Sequence, residues 1–125
     1  PLNWQLTERG AQLQEACKTS ASYCMYVIDG AIQRPGLLRD DEKGAAIEIE
    51  IWQIPATEFG SFVAGIPAPL GIGKVEVSAG RWLPGFICEP YALAGAKDIT
   101  ALGGWKTYLA TAKLARLKVT LEAYK

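Results

Sequence analysis

The stretch Ala46 to Ile54, AIEIEIWQI, constrains the chain most, because Ile47, Ile49 and Ile51 alternate with Glu48, Glu50 and Trp52 at a period of two. Successive side chains of a strand point to opposite faces, so this spacing predicts a strand with one apolar and one polar side. The chain must then supply a core against the isoleucines. With 125 residues and 50% hydrophobic content it has enough apolar surface for one such core. A single domain is expected over 1–125, with a core unit over 1–104 and a terminal helix over 105–125.

The remaining segments divide by their punctuation. Pro1 to Leu6 lacks periodicity and reads as an extended arm, and Thr7 followed by Glu8, Ala11, Leu13, Ala16 and Cys17 reads as a Thr-capped helix broken at Ser20 to Ser22. Tyr23 to Ile28, YCMYVI, is a short β-prone apolar run ending at Asp29-Gly30, as a buried strand feeding a loop would be. That loop is expected to run through Arg34-Pro35-Gly36 to a solvated charged turn at Asp40 to Gly44. Pro55 to Val63 predicts a short helix starting at Thr57, and Lys74 to Ser78, Ala79-Gly80 and Arg81 to Glu89 predict a hairpin. Pro84-Gly85 marks a bulge or an edge in its second strand. After a turn-rich lead-in at Asp98 to Gly104, Trp105 to Ala123 predicts a helix. It carries one apolar row at Trp105, Tyr108, Leu109, Ala112 and Val119 and a second at Leu114, Leu117 and Leu121.

Composition removes several kinds of chemistry. Lys+Arg and Asp+Glu both number 13, so the overall charge favours neither nucleic acid nor an anionic membrane as partner. The chain has no histidine, which excludes a Ser-His-Asp triad, a Cys-His pair and histidine metal ligation. Cys17, Cys24 and Cys88 lack the spacing of a zinc site and are expected to be reduced, buried thiols, so neither metal nor cofactor is expected. No signal peptide or spanning apolar run is present, which points to the cytoplasm. Residue 1 is Pro, consistent either with removal of an initiator Met or with a start inside a longer chain.

Ile66 to Val77, IPAPLGIGKVEV, is the best local candidate for a site. Pro67 and Pro69 fix φ and remove backbone donors, whereas Gly71 and Gly73 let the backbone approach another group. Gly71-Ile72-Gly73-Lys74 is not a phosphate loop, because Ala68 and Val75 stand where that motif needs Gly and Ser or Thr. Polar groups close to turns complete the set: Asn3, Gln5, Tyr26, Asp29, Arg34, Arg39, Lys74 and Glu89.

Taken in order, PLNWQLTERGA, MYVIDG, RPGL, AIEIEIWQIP, FGSFVAGIPAPLGIGKVEV, GFICEPYA and DITALGGWKTYLA resemble the C-terminal domain of allophanate hydrolase over Pro1 to about Leu109. The resemblance implies an α+β fold similar to γ-glutamylcyclotransferase, a small mixed β-barrel with flanking helices. It also implies a cavity for a small carboxylate, lined by the Tyr-containing strand and the Gly loop after it. In the full enzyme an amidase domain deaminates allophanate, and the C-terminal domain promotes decarboxylation of the resulting N-carboxycarbamate. On this reading Tyr26 and Arg39 are the catalytic side-chain donors, and Asn3, Asp29, Gly30, Leu70, Gly71, Ile72, Gly73 and Glu89 bind the ligand.

Two positions depart from the family patterns. Trp4 occupies the place of a histidine that some members carry in the arm. No acid lies between Glu58 and Glu76, where γ-glutamylcyclotransferases carry their general acid/base, near Ala64 here. The amidase machinery is also absent from this chain. The expected function is therefore binding of a small carboxylated, urea-like or amide-containing metabolite, with decarboxylation as the associated chemistry. A non-catalytic module is the alternative, docking on an amidase partner or on a second copy through 105–125. Cyclotransferase chemistry ranks third.

Overall fold

A computed structural model describes residues 4–113. Its elements in chain order are α1 (Trp4–Glu8), β1 (Gln12–Lys18), β2 (Tyr23–Ile28), β3 (Arg34–Arg39), β4 (Glu48–Gln53), α2 (Ala56–Ala64), β5 (Leu70–Val77), β6 (Arg81–Cys88) and β7 (Lys97–Asp98). A last helix, α3, is described over 105–113.

The strands form three small sheets, β1 with β4, β3-β2-β7, and the β5–β6 hairpin. Isolated bridges connect them at Thr19 and Val77, Tyr23 and Ala45, and Glu48 and Gly104. The fold is α+β as expected, but the sheets are not closed into the barrel that the resemblance implied. One core serves all three sheets. Tyr23, Met25 and Val27 of β2 meet Leu37 of β3, Ile47, Val75 and Val77 of β5, Ile99, and Tyr108 of α3. Ile49 and Ile51 pack against this cluster from β4, so the alternation of the AIEIEIWQI stretch sets the face that β4 turns inward. β2 is also buried on its other side at Cys24 and Ile28, which accounts for a continuous apolar run there.

Three local expectations are corrected. The helix predicted from Thr7 to Cys17 is instead α1 followed by strand β1, and α1 also takes in part of the predicted extended arm. Gly10 has φ of +77°, a conformation that ends a helix, and beyond it pairing with β4 from Gln12↔Gln53 to Lys18↔Glu48 prevails over the helical spacing. The loop predicted through Arg34-Pro35-Gly36 is strand β3, the outer strand of its sheet, where a proline lacking an N–H is tolerated. Gly36 admits the contact behind it: a β-carbon there would lie 2.8 Å from Ile28 Cγ1 and 3.2 Å from Cys88 Cβ. Finally, the hairpin begins at Leu70, and its register runs without a break from Leu70↔Cys88 to Val77↔Arg81. Pro84 and Gly85 therefore sit in a continuous ladder with no bulge, and of the two expected alternatives the edge position holds, since this sheet has only the strands β5 and β6.

Helix α2 starts one residue before the predicted Thr57 and places Phe62 edge-on to Phe86 of β6, with ring centres 5.8 Å apart. In α3, Tyr108 is buried and Trp105 and Ala112 pack on the core, while Leu109 is 37% exposed. The second apolar row, Leu114, Leu117 and Leu121, lies outside the described residues. Cys24 and Cys88 are buried free thiols, and Cys17 is only partly covered. No helix among the described residues is long and apolar enough to cross a membrane.

Candidate functional site

A cleft of about 290 Å³ opens between two segments that are distant in sequence. One wall is the end of β2 and the turn after it, Ile28 to Ile32, together with Arg34; the other is Pro67 to Leu70, leading into β5. Their meeting follows from the packing already described. Ile28 and Cys88 come together over Gly36, and Cys88 is the ladder partner of Leu70, so the end of β2 and the start of β5 share one corner.

The two walls differ in chemistry. Pro67 and Pro69 have no amide hydrogen, the Leu70 N–H donates to the Pro67 carbonyl at 3.1 Å, and the Pro69 carbonyl accepts from the Glu89 N–H at 3.0 Å. This wall is therefore stiff, largely apolar and poor in donors. Its Ala68–Pro69 peptide is cis. On the opposite wall the amides of Gly30, Ala31 and Ile32 make no hydrogen bond with another described residue, and neither does the half-buried Arg34 guanidinium. Those groups are donors, and one of them is a permanent cation. The Asp29 carboxylate accepts from Gln33 Nε2 at 3.3 Å, and Gln33 Oε1 in turn accepts from the Tyr108 hydroxyl at 3.1 Å.

Of the residues assigned to catalysis or ligand binding from the sequence, Asp29, Gly30 and Leu70 line this cleft; Pro67 and Pro69 of the candidate stretch and Arg34 of the polar set line it as well. Gly71, Ile72 and Gly73 lie beyond it in the β5–β6 ladder, and the Leu70 amide is already engaged by Pro67. The space that Gly73 leaves is filled by Ile87, whose Cδ1 would stand 2.5 Å from an added β-carbon. Tyr26 sits in mid-strand opposite Gly36 and Asp98, outside the lining. Its phenol is held above the ordinary value, first by partial burial and then by the charge of Asp98.

Arg39 is at the far end of β3 from Arg34, roughly 17 Å along the strand. There it pairs with Glu76 at 3.1 Å and Asp41 at 3.3 Å. Glu89 is exposed and reaches the proline wall only through its backbone. Asn3 lies outside the described residues. Arg34, named from the sequence among the polar groups near turns but not assigned to the ligand, lines the cleft. It follows the Asp29-Gly30 turn by four residues, and along the loop expected through 34–44 nothing ranks it above Arg39.

A second hollow of about 90 Å³ lies among Gln5, Glu8, Arg9, Phe62 and Gly65, and Arg9 there pairs with Glu58 at 3.4 Å. It is too small for more than a few atoms. Among the described residues, no three of Cys, Asp and Glu are grouped to hold a metal ion.

An α+β domain with three short sheets, and a cleft walled by a strand-end turn and a proline segment, is the class of protein that this chain forms. It belongs to the allophanate hydrolase C-terminal domain family, whose model matches residues 1–110. The urea amidolyase of Lachancea kluyveri is 41% identical over 124 residues, covering 95% of this chain and 7% of that protein. The urea amidolyase of Saccharomyces cerevisiae is 41% identical over 113 residues, 86% of this chain and 6% of that protein. The chain thus spans less than a tenth of the length of these relatives.

Among solved structures, Kluyveromyces lactis allophanate hydrolase superposes with a TM-score of 0.85 at 39% identity, over 90% of this chain and 19% of that one. A uropathogenic E. coli-specific protein superposes with a TM-score of 0.80 at 31% identity, over 88% of this chain and 85% of that one. The same domain therefore occurs both as a small part of a long chain and as most of a short one.

Proposed function

We propose that the cleft between Asp29-Gly30 and Pro67–Leu70 binds a small carboxylated, urea-like metabolite, with Arg34 and the turn amides holding its carboxylate. The observation that carries this reading is the asymmetry of the lining: on one side a cation and an exposed turn whose amides have no partner among the described residues, on the other a stiff, apolar proline segment. Such a surface shields a carboxylate from bulk water while the donors replace its hydration. Decarboxylation of an N-carboxycarbamate breaks the bond between nitrogen and the departing carboxyl carbon. CO2 leaves, the electron pair stays on nitrogen, and a proton must then be added there. Arg34 orients the carboxylate but does not surrender its proton. Asp29, Tyr26 and Trp4 offer no ready substitute for a histidine, so the proton comes from water and the chemistry is slow. Binding is the primary role on this reading.

A melting-curve screen with allophanate, malonate and biuret tests it. A ligand present at about 100 times its Kd adds roughly 2.7 kcal/mol to the unfolding free energy, and Arg34→Ala should remove the effect. Stabilisation by none of the three, or an unchanged response in Arg34→Ala, overturns the proposal. A second reading is an accessory module beside an amide-hydrolysing domain, with α3 as docking or dimer element. It is favoured by one fact, that this domain makes up only 19% of the chain of an allophanate hydrolase. Co-sedimentation of the chain with an amidase domain, lost on deleting residues after Ala110, is its expected result.

A further inference from the structure

The loop that carries the proposed donors has no backbone hydrogen bond of its own. β2 ends at Ile28 and β3 begins at Arg34, and these two residues pair, so 29–33 is the hairpin loop between them. The amides of Gly30, Ala31 and Ile32 find no partner among the described residues, and all three residues are exposed. A loop so poorly bonded samples many conformations unless something else holds it. Here side chains do so. Asp29 and Gln33 stand at the two ends of the loop, and the Gln33 amide donates to the Asp29 carboxylate at 3.3 Å, which closes the loop one step beyond the Ile28↔Arg34 rung. The Gln33 oxygen accepts from the Tyr108 hydroxyl at 3.1 Å. Reversing the Gln33 amide would set its oxygen against the carboxylate, so the two bonds support a single orientation.

The far end of this chain of bonds is fixed in the core. Tyr108 is 7% exposed, its ring centre is 5.0 Å from that of Trp105, and the Lys97 ammonium lies 5.5 Å from its centroid. The start of α3 is tied to β4 as well. The Glu48 N–H donates to the Gly103 carbonyl at 2.7 Å just before the helix, and Lys106 pairs with Glu50 at 3.1 Å.

We infer that Gln33 and Tyr108 are positioning residues for the cleft: anchored in the core through Tyr108, the two side chains hold loop 29–33 in one shape before a ligand arrives. The inference rests on the proposed carboxylate site, because it concerns the loop whose amides, with Arg34, hold the carboxylate there. Neither residue is in the lining of the cleft. Ordering a loop in advance removes that cost from binding, so the affinity of the cleft depends on a hydroxyl of α3 that the ligand does not touch.

The test pairs calorimetric titration of the full chain with malonate and NMR relaxation of its backbone amides at 30–32. Tyr108→Phe keeps the buried ring and removes its bond to Gln33, whereas Gln33→Met keeps the length of the side chain and removes both bonds. Each should raise the malonate Kd by about fivefold. Each should also lower the order parameters at 30–32 toward the flexible range, below about 0.6, while those of β2 stay as in the parent. Because the two residues act through one chain of bonds, the double variant should also raise Kd by about fivefold, and not by the product of the two effects.

A Tyr108 hydroxyl that only stabilises the core would lower the melting temperature of Tyr108→Phe and leave both the Kd and the order parameters at parent values; that result overturns the inference. Effects of Gln33→Met and Tyr108→Phe that multiply in the double variant overturn it too. If Arg34→Ala abolishes malonate binding while Gln33→Met and Tyr108→Phe bind as the parent does, the positioning role fails and the carboxylate site stands. If malonate does not bind the parent, or binds Arg34→Ala equally well, the site fails and the positioning role with it.

Discussion

Thr19 and Ile47 hold each other by two hydrogen bonds, the Thr19 N–H donating to the Ile47 carbonyl at 2.9 Å and the Ile47 N–H donating to Thr19 Oγ1 at 3.0 Å. Both residues are almost fully buried, and Thr19 also bridges to Val77 at the end of β5. The pair therefore extends the β1–β4 ladder by one position and, through Val77, ties that sheet to the β5–β6 hairpin. Thr19→Val keeps the shape but leaves the Ile47 N–H without a partner, which should cost about 1–3 kcal/mol. The adjacent Ser20 provides the control. Its hydroxyl is buried and finds no partner among the described residues, so Ser20→Ala should be neutral or stabilise by up to about 1 kcal/mol. Urea unfolding of the two variants decides the matter, and equal losses in both would contradict it.

Arg39 separates stability from binding. Its guanidinium carbon stands 5.2 Å from the centre of the Trp82 ring and 5.6 Å from that of Tyr23, and it pairs with Glu76. Tyr23 supports the same corner by accepting the Glu76 N–H at 3.0 Å on its hydroxyl. Arg39→Ala should lower the melting temperature while leaving ligand affinity as in the parent, and Arg34→Ala should do the reverse. A loss of affinity in Arg39→Ala equal to that in Arg34→Ala would restore Arg39 to the site.

The glycines of the Gly71-Ile72-Gly73 stretch should behave oppositely to one another. A β-carbon at Gly71 meets nothing within 4 Å, so Gly71→Ala should change stability by no more than about 0.5 kcal/mol. At Gly73 it meets Ile87, whose end can shift, and about 1 kcal/mol should be lost. At Gly44 it would strike the Asp40 carbonyl and the Ser22–Tyr23 peptide, which cannot give way, and a loss of about 3 kcal/mol or more is expected. Melting temperatures should fall in that order. A larger loss at Gly71 than at Gly73 would mean that the stretch is held by something other than its own hairpin.

These glycines also show where sequence reasoning ends. The period of two in AIEIEIWQI and the apolar run of YCMYVI were legible because burial on a sheet imposes them directly. The β1 segment was not, since Ala11, Leu13, Ala16 and Cys17 suit a helix locally and only pairing with β4, across a register shift between Leu13 and Glu15, makes them a strand. The Asp29-Gly30 turn and the proline segment were each recognisable as site material. Nothing local states that Gly36 brings Ile28 onto Cys88 and so turns the two segments toward one cleft. For the same reason the sequence does not separate Arg34 from Arg39: along a loop the two are interchangeable, whereas on β3 they stand at opposite ends.

Two acid-sensitive contacts should limit stability at low pH. Both Glu15 oxygens accept from Arg81, at 2.9 and 3.0 Å, and this pairing holds the Glu15 carboxyl below the usual range. Asp40 is held low by the backbone N–H groups of Lys43 and Glu42, each at 3.0 Å. A carboxyl whose pKa is depressed by folding stabilises the fold above its unfolded pKa, and that contribution is lost as the pH falls through the folded value. The affected window therefore begins near about pH 4 and extends below it. In Arg81→Gln the Glu15 contribution is missing at neutral pH, so the deficit relative to the parent should be greatest there and should close as both proteins are acidified. Glu15 and Arg81 are each about two-fifths exposed, so high salt should shrink the same deficit. Thermal melts from about pH 7 to pH 2 check the sign. A deficit that stays constant over that range, and does not respond to salt, would show that Arg81 acts through the packing of its aliphatic stem and not through its charge.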